Sequence, residues 1–407
     1  MCKGKRPREE KELPSSKRTR SQTLSERNEE QAKIIEKARQ KADELRLERQ
    51  KALEARPIAL SGQCGDGSLH ISFLQMGQGD CCLIATPKGR VIMIDCGTDA
   101  HDDEKVDAHT KRVQDSIYSQ KFLKDKNEID VLILTHPDTD HYNKAKTVLK
   151  HDVKIHNVYY SAKFSDYSAG QTSAWIHERI TDASFIKAVT HNKLSEFGFI
   201  QINDKEVQPA DRENKVDRLD KQGGIRIVHE EDCKISILAS NINQIYTFEN
   251  KSIIDNDGEK HVNRGSIVTL IEVFNQKILI CGDATRNTEH YLVESSGARI
   301  ADVFILQAPH HGSNNTSSSE RFVNKTNPIN VVMSAGKKID KDHLPSAATI
   351  SRYEVQQELK EEVGLHEIFY WQKGAYSSYF HESRFTKRAV YVTGSSGTLE
   401  HRFEKSS

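Results

Sequence analysis

Four side chains able to bind a metal ion fall within six residues in His136-Pro137-Asp138-Thr139-Asp140-His141. Imidazole mixed with carboxylate suits zinc, manganese or iron better than calcium or magnesium. The run follows Val131-Leu132-Ile133-Leu134, which reads as a buried strand. A strand end fixes the backbone, and a tight turn then lets alternate side chains converge. His136, Asp138, Asp140 and His141 are therefore candidate metal ligands.

Two further strand ends carry the same chemistry. Ile278-Leu279-Ile280-Cys281-Gly282 delivers Asp283. Two cations held close together repel unless an anion lies between them, so Asp283 is a candidate bridge. Read alone, an Asp after Gly at a strand end is more commonly a helix cap. Pro309-His310-His311-Gly312-Ser313 follows the strand Val303–Leu306, and Ser334-Ala335-Gly336 precedes His343-Leu344-Pro345. One histidine of the pair His310/His311 is expected to bind metal and the other to act on substrate. His343 is a further candidate ligand.

These turns need a scaffold. Strands are expected at Leu69–Leu74, Cys81–Thr86, Arg90–Asp95, Arg226–His229, Lys234–Ala239, Ser266–Phe274, Lys277–Cys281 and Val331–Ser334. Helical patterns follow Asp140, Asp283, Ser317 and Pro345. Strands and helices alternate, yet hairpins are present, which points to mixed sheets in an α/β fold. Residues 161–222 are more polar and read as an insertion or lid, with a helix expected around Trp175–Ile186.

The chain of 407 residues has zero formal net charge, which conceals an asymmetry. Residues 1–56 hold 17 Lys/Arg and 11 Asp/Glu, leaving 42 and 48 for the remainder. A basic arm of net +6 thus joins a body of net −6. The arm reads as a disordered tail with clusters Lys5-Arg6-Pro7-Arg8 and Lys17-Arg18-Thr19-Arg20, then a charged helix over 26–56. Such an arm can address a protein to the nucleus or touch nucleic acid. Residues 57–407 form the expected folded domain. No apolar run has the length of a membrane span, and no secretory signal is expected. The seven cysteines show no CxxC pair, so free thiols in a reducing, cytoplasmic or nuclear setting are expected. No oligomeric state is indicated.

The order GQGD, IDCG, THPDTDH, CGDA, PHHGS and SAG…H resembles the metallo-β-lactamase superfamily, and most of all its ComEC-type competence hydrolase branch. The resemblance implies an αββα sandwich of two mixed sheets flanked by helices, with two divalent metal ions, zinc or manganese, at the sheet edge. It implies that His136 and Asp138 bind one ion, Asp140 and His141 the second, and Asp283 both, with His343 and one of His310 and His311, His311 being favoured, completing the set. The other histidine, His310 on the favoured assignment, then faces substrate, and His310 and Asp140 are the candidate catalytic residues. Asp80 and Asp95 lie in the GQGD and IDCG turns and orient ligands. The histidine usual between Asp140 and Asp283 is absent, and Asn263-Arg264-Gly265-Ser266 stands in its stretch.

The resulting expectation is a metal-dependent phosphodiesterase or nuclease. Hydrolysis of a small ester, lactone or cyclic nucleotide is the alternative enzyme, and the acidic body suits a small substrate. A non-catalytic binding module on the same fold is the third reading, and the retained ligand set speaks against it.

Overall fold

The computed structural model describes residues 65–99, 105–119, 121–124, 127–189, 224–242, 247–248, 251–252, 261–337, 343–374 and 378–405, with Lys33 alone before them. The arm expected over 1–56, and the part of the 161–222 segment from 190 to 222, lie outside the described residues.

The first half builds strands β1 (Leu69–Phe73), β2 (Cys82–Ala85), β3 (Val91–Ile94), β4 (Glu128–Ile129), β5 (Val131–Leu134), β6 (Lys154–Tyr160) and β7 (Ile180–Ala188). The second builds β8 (Ile225–His229), β9 (Cys233–Ala239), a small ribbon of β10 (Thr247–Phe248) and β11 (Lys251–Ser252), then β12 (Val268–Val273) and β13 (Gln276–Ile280). It continues with β14 (Ile305–Gln307), β15 (Asn330–Met333), the hairpin β16 (His366–Lys373) and β17 (Tyr379–Thr386), β18 (Val390–Val392) and β19 (Leu399–Phe403).

One sheet runs β19-β1-β2-β3-β5-β6-β4, with β7 also paired to β6. The other runs β18-β15-β14-β13-β12-β9-β8. Both are mixed: β1–β3 pair antiparallel and β3-β5-β6 parallel, while β8-β9-β12-β13 pair antiparallel and β13-β14-β15-β18 parallel.

Period-two alternation explains the layering. Ile71, Ile84, Ile92 and Ile133 meet Ile235, Ile271, Ile278 and Ile280 between the sheets. Their neighbours Leu83, Met93 and Leu132 face outward, with Val113, Ile117 and Trp175. On the other outer face Leu279 and Leu306 pack with Leu292, Phe322 and Ile350. Those residues belong to helices Val106–Ile117, Thr172–Arg179, Arg286–Ser296, Glu320–Thr326 and Ala347–Glu354. The architecture is thus an α/β fold of two mixed sheets flanked by helices, as the metallo-β-lactamase sandwich requires.

One expected element differs. The helix around Trp175–Ile186 spans Thr172–Arg179 and gives way to β7, which pairs parallel to β6. Residues 180–188 are therefore part of the first sheet. The sequence there, Ile180-Thr181-Asp182-Ala183-Ser184-Phe185-Ile186, has the β-branched residues that a strand favours. The C-terminal segment also closes an edge: β19 pairs antiparallel to β1 in the register Ile71↔His401.

Cys81 lies on the helix side of the first sheet and Cys82 between the sheets, so the pair faces opposite layers. Cys81, Cys82, Cys96, Cys233 and Cys281 are buried free thiols. Burial raises the thiols of Cys82 and Cys281 well above the usual range. That suits small apolar filling and not a thiolate ligand.

Candidate metal centre

The strand ends of the two sheets meet at one edge. The loop after β5 brings His136, Asp138, Asp140 and His141. The turn after β13 brings Asp283, and the turn after β14 brings His310 and His311. Backbone hydrogen bonds lace the surrounding turns together. Asp80 N–H donates to Asp140 O at 3.1 Å, Gly97 N–H to Asp80 O at 3.0 Å, and Cys96 N–H to His141 O at 2.7 Å. His310 N–H donates to Gly282 O at 2.9 Å.

The glycines in these turns are there for space. A Cβ on Gly97 would lie 2.4 Å from Asp140 C and from Tyr142 N. A Cβ on Gly79, whose φ is +155°, would lie 2.3 Å from Gly97 O. Backbone cannot yield as a flexible side chain does. Gly97→Ala is therefore expected to cost about 3 kcal/mol in stability and to loosen the metal loop. Thermal unfolding and metal titration read both effects; a variant unchanged in both contradicts this packing.

Asp283 stands at the middle of the cluster, and its two oxygens face different partners. Oδ2 lies 3.7 Å from His136 Nε2 and 3.5 Å from His310 Nε2. Oδ1 lies 3.2 Å from His141 Nε2 and 3.6 Å from His311 Nε2. Asp138 Oδ2 is 3.7 Å from His136 Nε2, on the first side. Asp140 Oδ2 is 3.0 Å from His311 Nε2 and 4.0 Å from His141 Nε2, on the second. The residues thus sort into two sets sharing one carboxylate.

The other ring nitrogens fix which atom faces inward. His311 Nδ1 is 2.7 Å from the Ser334 carbonyl, which can only accept, so Nδ1 carries the proton. His141 Nδ1 lies 2.8 Å from Asp95 Oδ2. Thr135 Oγ1 donates to Asp95 Oδ2 at 2.6 Å and so accepts from His136 Nδ1 at 3.1 Å. Thr316 Oγ1 donates to Ser313 Oγ at 2.8 Å and accepts from His310 Nδ1 at 2.7 Å. All four rings therefore turn Nε2 toward Asp283. Anchoring the outer nitrogen is the usual means of setting a ligand's tautomer.

Three atoms at the centre, His136 Nε2, His141 Nε2 and Asp283 Oδ1, are buried without a hydrogen-bond partner. A buried polar atom left so is costly. A divalent cation would satisfy all three, and the donor set of imidazole and carboxylate fits zinc, manganese or iron. Asp80, His141, Asp283 and His311 bring ligand atoms within 4.8 Å of one another, so a cluster of Asp and His able to hold a metal ion is present.

The crowded carboxylates favour positive charge on the rings. Burial alone would lower His141, but Asp283, Asp140 and Asp95 outweigh it and hold its pKa well above the usual value. Burial likewise opposes, and Asp283 with Asp140 and Asp80 overcomes, so that His311 is pushed up to about 10. Burial disfavours ionised Asp283, yet His310, His311 and His141 hold it well below the usual carboxylate range. A cation arriving at Nε2 must displace those protons. Metal uptake near pH 7.5 is therefore expected to release roughly one to two protons, and affinity to weaken as pH falls. Calorimetry in buffers of differing ionisation enthalpy counts them; no buffer dependence contradicts the assignment.

Asp95 acts on the ligands from behind. It accepts from Thr135 N–H at 2.8 Å, from Thr135 Oγ1 and from His141 Nδ1. Its φ of 57° aims the carboxylate into that position. Asp80 accepts from Gln307 Nε2 at 2.6 Å and sits 3.8 Å from Nδ1 of both His141 and His311. Asp95→Ala is expected to weaken metal affinity by about 10–100-fold while leaving the ligands in place. Competition with a chromogenic chelator measures this, and an unchanged affinity contradicts it.

His343 is set among aromatic side chains, outside the pairs described above. Its ring stacks on Tyr379, with centroids 4.4 Å apart at 13°, and meets the edge of Trp371 at 4.9 Å. The departure has a physical basis in His310. The rings of His310 and His311 are both turned inward because His310, His311 and Gly312 have φ of 52°, 52° and 85° in succession. Adjacent side chains would otherwise diverge. His310 thereby reaches Asp283 Oδ2 beside His136, where sequence reasoning had placed a substrate-facing group. Gln307 and Thr316, which anchor Asp80 and His310, went unnoticed in the sequence; polar residues flanking PHH were the available signal.

Residues 74–196 match the family model described as the metallo-beta-lactamase superfamily. The match covers most of the first sheet and the loop bearing His136 to His141. Sequence match and sandwich together support the metallo-β-lactamase superfamily. The loop within that match is met by Asp283 and His311 from the second sheet. No curated protein matches the chain significantly. Among solved structures the chain is similar to the short form of human tRNase Z, at 11% identity and TM-score 0.35, over 66% of this chain and 93% of that one. It is similar to Zn(2+)-bound PqqB from Methylobacterium extorquens, at 9% identity and TM-score 0.38, over 81% and 99%. It is also similar to CmlA, a diiron β-hydroxylase from Streptomyces venezuelae, at 11% identity and TM-score 0.36, over 69% of this chain and about half, 51%, of that one. Likeness at this level assigns no substrate. Among the described residues no helix is long and apolar enough to cross a membrane.

Proposed function

We propose that the protein is a metal-dependent hydrolase that uses two divalent ions, zinc or manganese, to cleave phosphodiesters, with nucleic acid as substrate. The observation that carries this reading is Asp283, each of whose oxygens faces its own set of imidazole and carboxylate. His136, Asp138 and His310 would hold one ion; Asp140, His141 and His311 the other. When bound, such ions supply an acidified water and polarise a phosphoryl oxygen.

The chain's own groups shape the rest. Asp138, Asp140 and His310 have side chains 21%, 15% and 14% exposed, whereas His136 and His141 are fully buried. Substrate and water therefore enter on the side of those three. Asp140, bonded to His311 Nε2, sits at that mouth and can orient the attacking water. Burial lowers His310 despite Asp283, so its ring is neutral at neutral pH. A neutral ring donates a lone pair and holds no spare proton, which favours a ligand role over protonation of the leaving oxygen.

The ComEC-type order of motifs and the basic arm support nucleic acid as the substrate, in a cytoplasmic or nuclear setting. The acidic body favours a second reading, hydrolysis of a small ester, lactone or cyclic nucleotide. A panel of single- and double-stranded DNA and RNA, bis-p-nitrophenyl phosphate, a lactone and cyclic nucleotides, each with manganese and with zinc, separates the two. Cleavage of strands and of bis-p-nitrophenyl phosphate is the expected result. Cleavage of the lactone alone overturns the phosphodiesterase reading, and no turnover of any substrate overturns the enzyme.

A further inference from the structure

A groove of about 490 Å³ opens beside the metal centre. Its walls include Asn314, three residues beyond His311, with His343, Trp371, Lys373, Tyr379 and Arg384. Trp371 and Lys373 lie on β16, and Tyr379 and Arg384 on β17, the two strands of one hairpin with Lys373 opposite Tyr379. The hairpin forms its own two-stranded sheet; Phe369 packs into the core and Trp371 is buried, whereas Tyr379 stays exposed.

Three properties of the groove define a ligand. First, it offers ring faces. Tyr379 lies flat on His343, and remains 39% exposed. Second, its charged lining among the described residues is Lys373 and Arg384, with no Asp or Glu among them. That contrasts with the carboxylate-rich centre next to it. Arg384 is braced by Glu354 at 2.5 Å, while Lys373 is exposed. Third, the groove is tied to the catalytic turn. Ser346 N–H donates to Gly312 O at 3.1 Å, and Arg352 Nη2 donates to Asn314 Oδ1 at 2.8 Å. A ligand held here has a fixed position relative to His310 and His311.

An exposed ring with a lysine on the same face of the hairpin is the complement of an aromatic base bearing phosphate. A duplex hides its base faces by stacking, so the fit is to an unpaired base. We propose that the groove between the β16–β17 hairpin and the His310–His311 turn binds an unpaired nucleotide of a single-stranded nucleic acid. The base stacks on Tyr379, its phosphate meets Lys373 on the same face of the hairpin, and the neighbouring phosphodiester is thereby presented to the centre. The proposal deepens the phosphodiesterase reading and rests on it for its meaning.

Binding tests it apart from cleavage. The full chain is treated with chelator, and fluorescence anisotropy is read with a short labelled oligothymidylate and with an abasic strand of equal length and charge. The basic arm contributes equally to both, so their ratio reports base stacking. The oligothymidylate is expected to bind about tenfold more tightly. Tyr379→Ala is expected to abolish that preference and Tyr379→Trp to retain it, while Lys373→Glu weakens both strands. Thymidine monophosphate is expected to compete far less well than the strand. Equal affinity for the two strands, or an unchanged preference in Tyr379→Ala, overturns the proposal, and equal competition by the mononucleotide overturns its assignment to strands. Turnover of bis-p-nitrophenyl phosphate by the metal-loaded wild-type chain is read separately. Base-selective binding without turnover overturns the enzyme reading alone; turnover without base selectivity overturns the groove alone.

Discussion

Asp283→Ala is expected to reduce hydrolysis by about a thousandfold or more and to leave the protein unable to hold its full complement of metal. A thousandfold corresponds to about 4 kcal/mol of lost transition-state stabilisation, the order that a metal ion contributes. The size follows from position. Asp283 alone has contacts with His136 and His310 through one oxygen and with His141 and His311 through the other. Removing it leaves those four rings converging with no shared anion, and two cations there would repel. Asp283→Asn keeps the shape and removes the charge, so it separates packing from electrostatics. It is expected to fold as the wild type does and to be nearly as inactive as the alanine variant. Activity with bis-p-nitrophenyl phosphate and metal content by mass spectrometry give both readouts; an Asn variant with wild-type metal content and turnover contradicts the bridging role.

The second large effect distinguishes three histidines. His310→Ala and His311→Ala are each expected to lower metal affinity by at least about 100-fold, more than loss of an orienting neighbour costs. His343→Ala is expected to keep the metal content of the wild type. The reasoning is geometric. His310 and His311 carry Nε2 to within 3.5 Å and 3.6 Å of opposite oxygens of Asp283. His343 packs against Tyr379 and Trp371. Should His343→Ala lose a metal ion while His310→Ala retains both, the assignment of ligands to the first set is wrong.

The convergence of these side chains was legible in the sequence because each candidate ligand stands after an apolar strand. A run such as Val131–Leu134 fixes both a buried strand and the place where it ends, so His136 could be put at a sheet edge. The same reasoning located Asp283 after Ile278–Ile280. Gly79 and Gly97 could be read as turn residues, but the reason for them is a contact across 43 residues, between Gly97 and Asp140, which only the fold reveals.

Three features escaped for physical reasons. The role of His310 depends on consecutive left-handed residues, and nothing in Pro309-His310-His311 states that both side chains turn to one side. The place of His343 depends on a hairpin that begins 23 residues later and contributes Trp371 and Tyr379. Residues 180–186 follow a helix without Gly or Pro between, so local pattern continues the helix where pairing with β6 imposes a strand. In each case a tertiary contact overrides a local preference.

The central claim is that one carboxylate, Asp283, joins two sets of ligands. Metal analysis of the full chain, purified without chelator and then dialysed against zinc or manganese, tests it most directly. The account predicts about two ions per wild-type chain, fewer than two in Asp283→Ala, and turnover that rises with occupancy. A wild-type chain that takes up no metal ion, or an Asp283→Ala chain that still holds two, would contradict it.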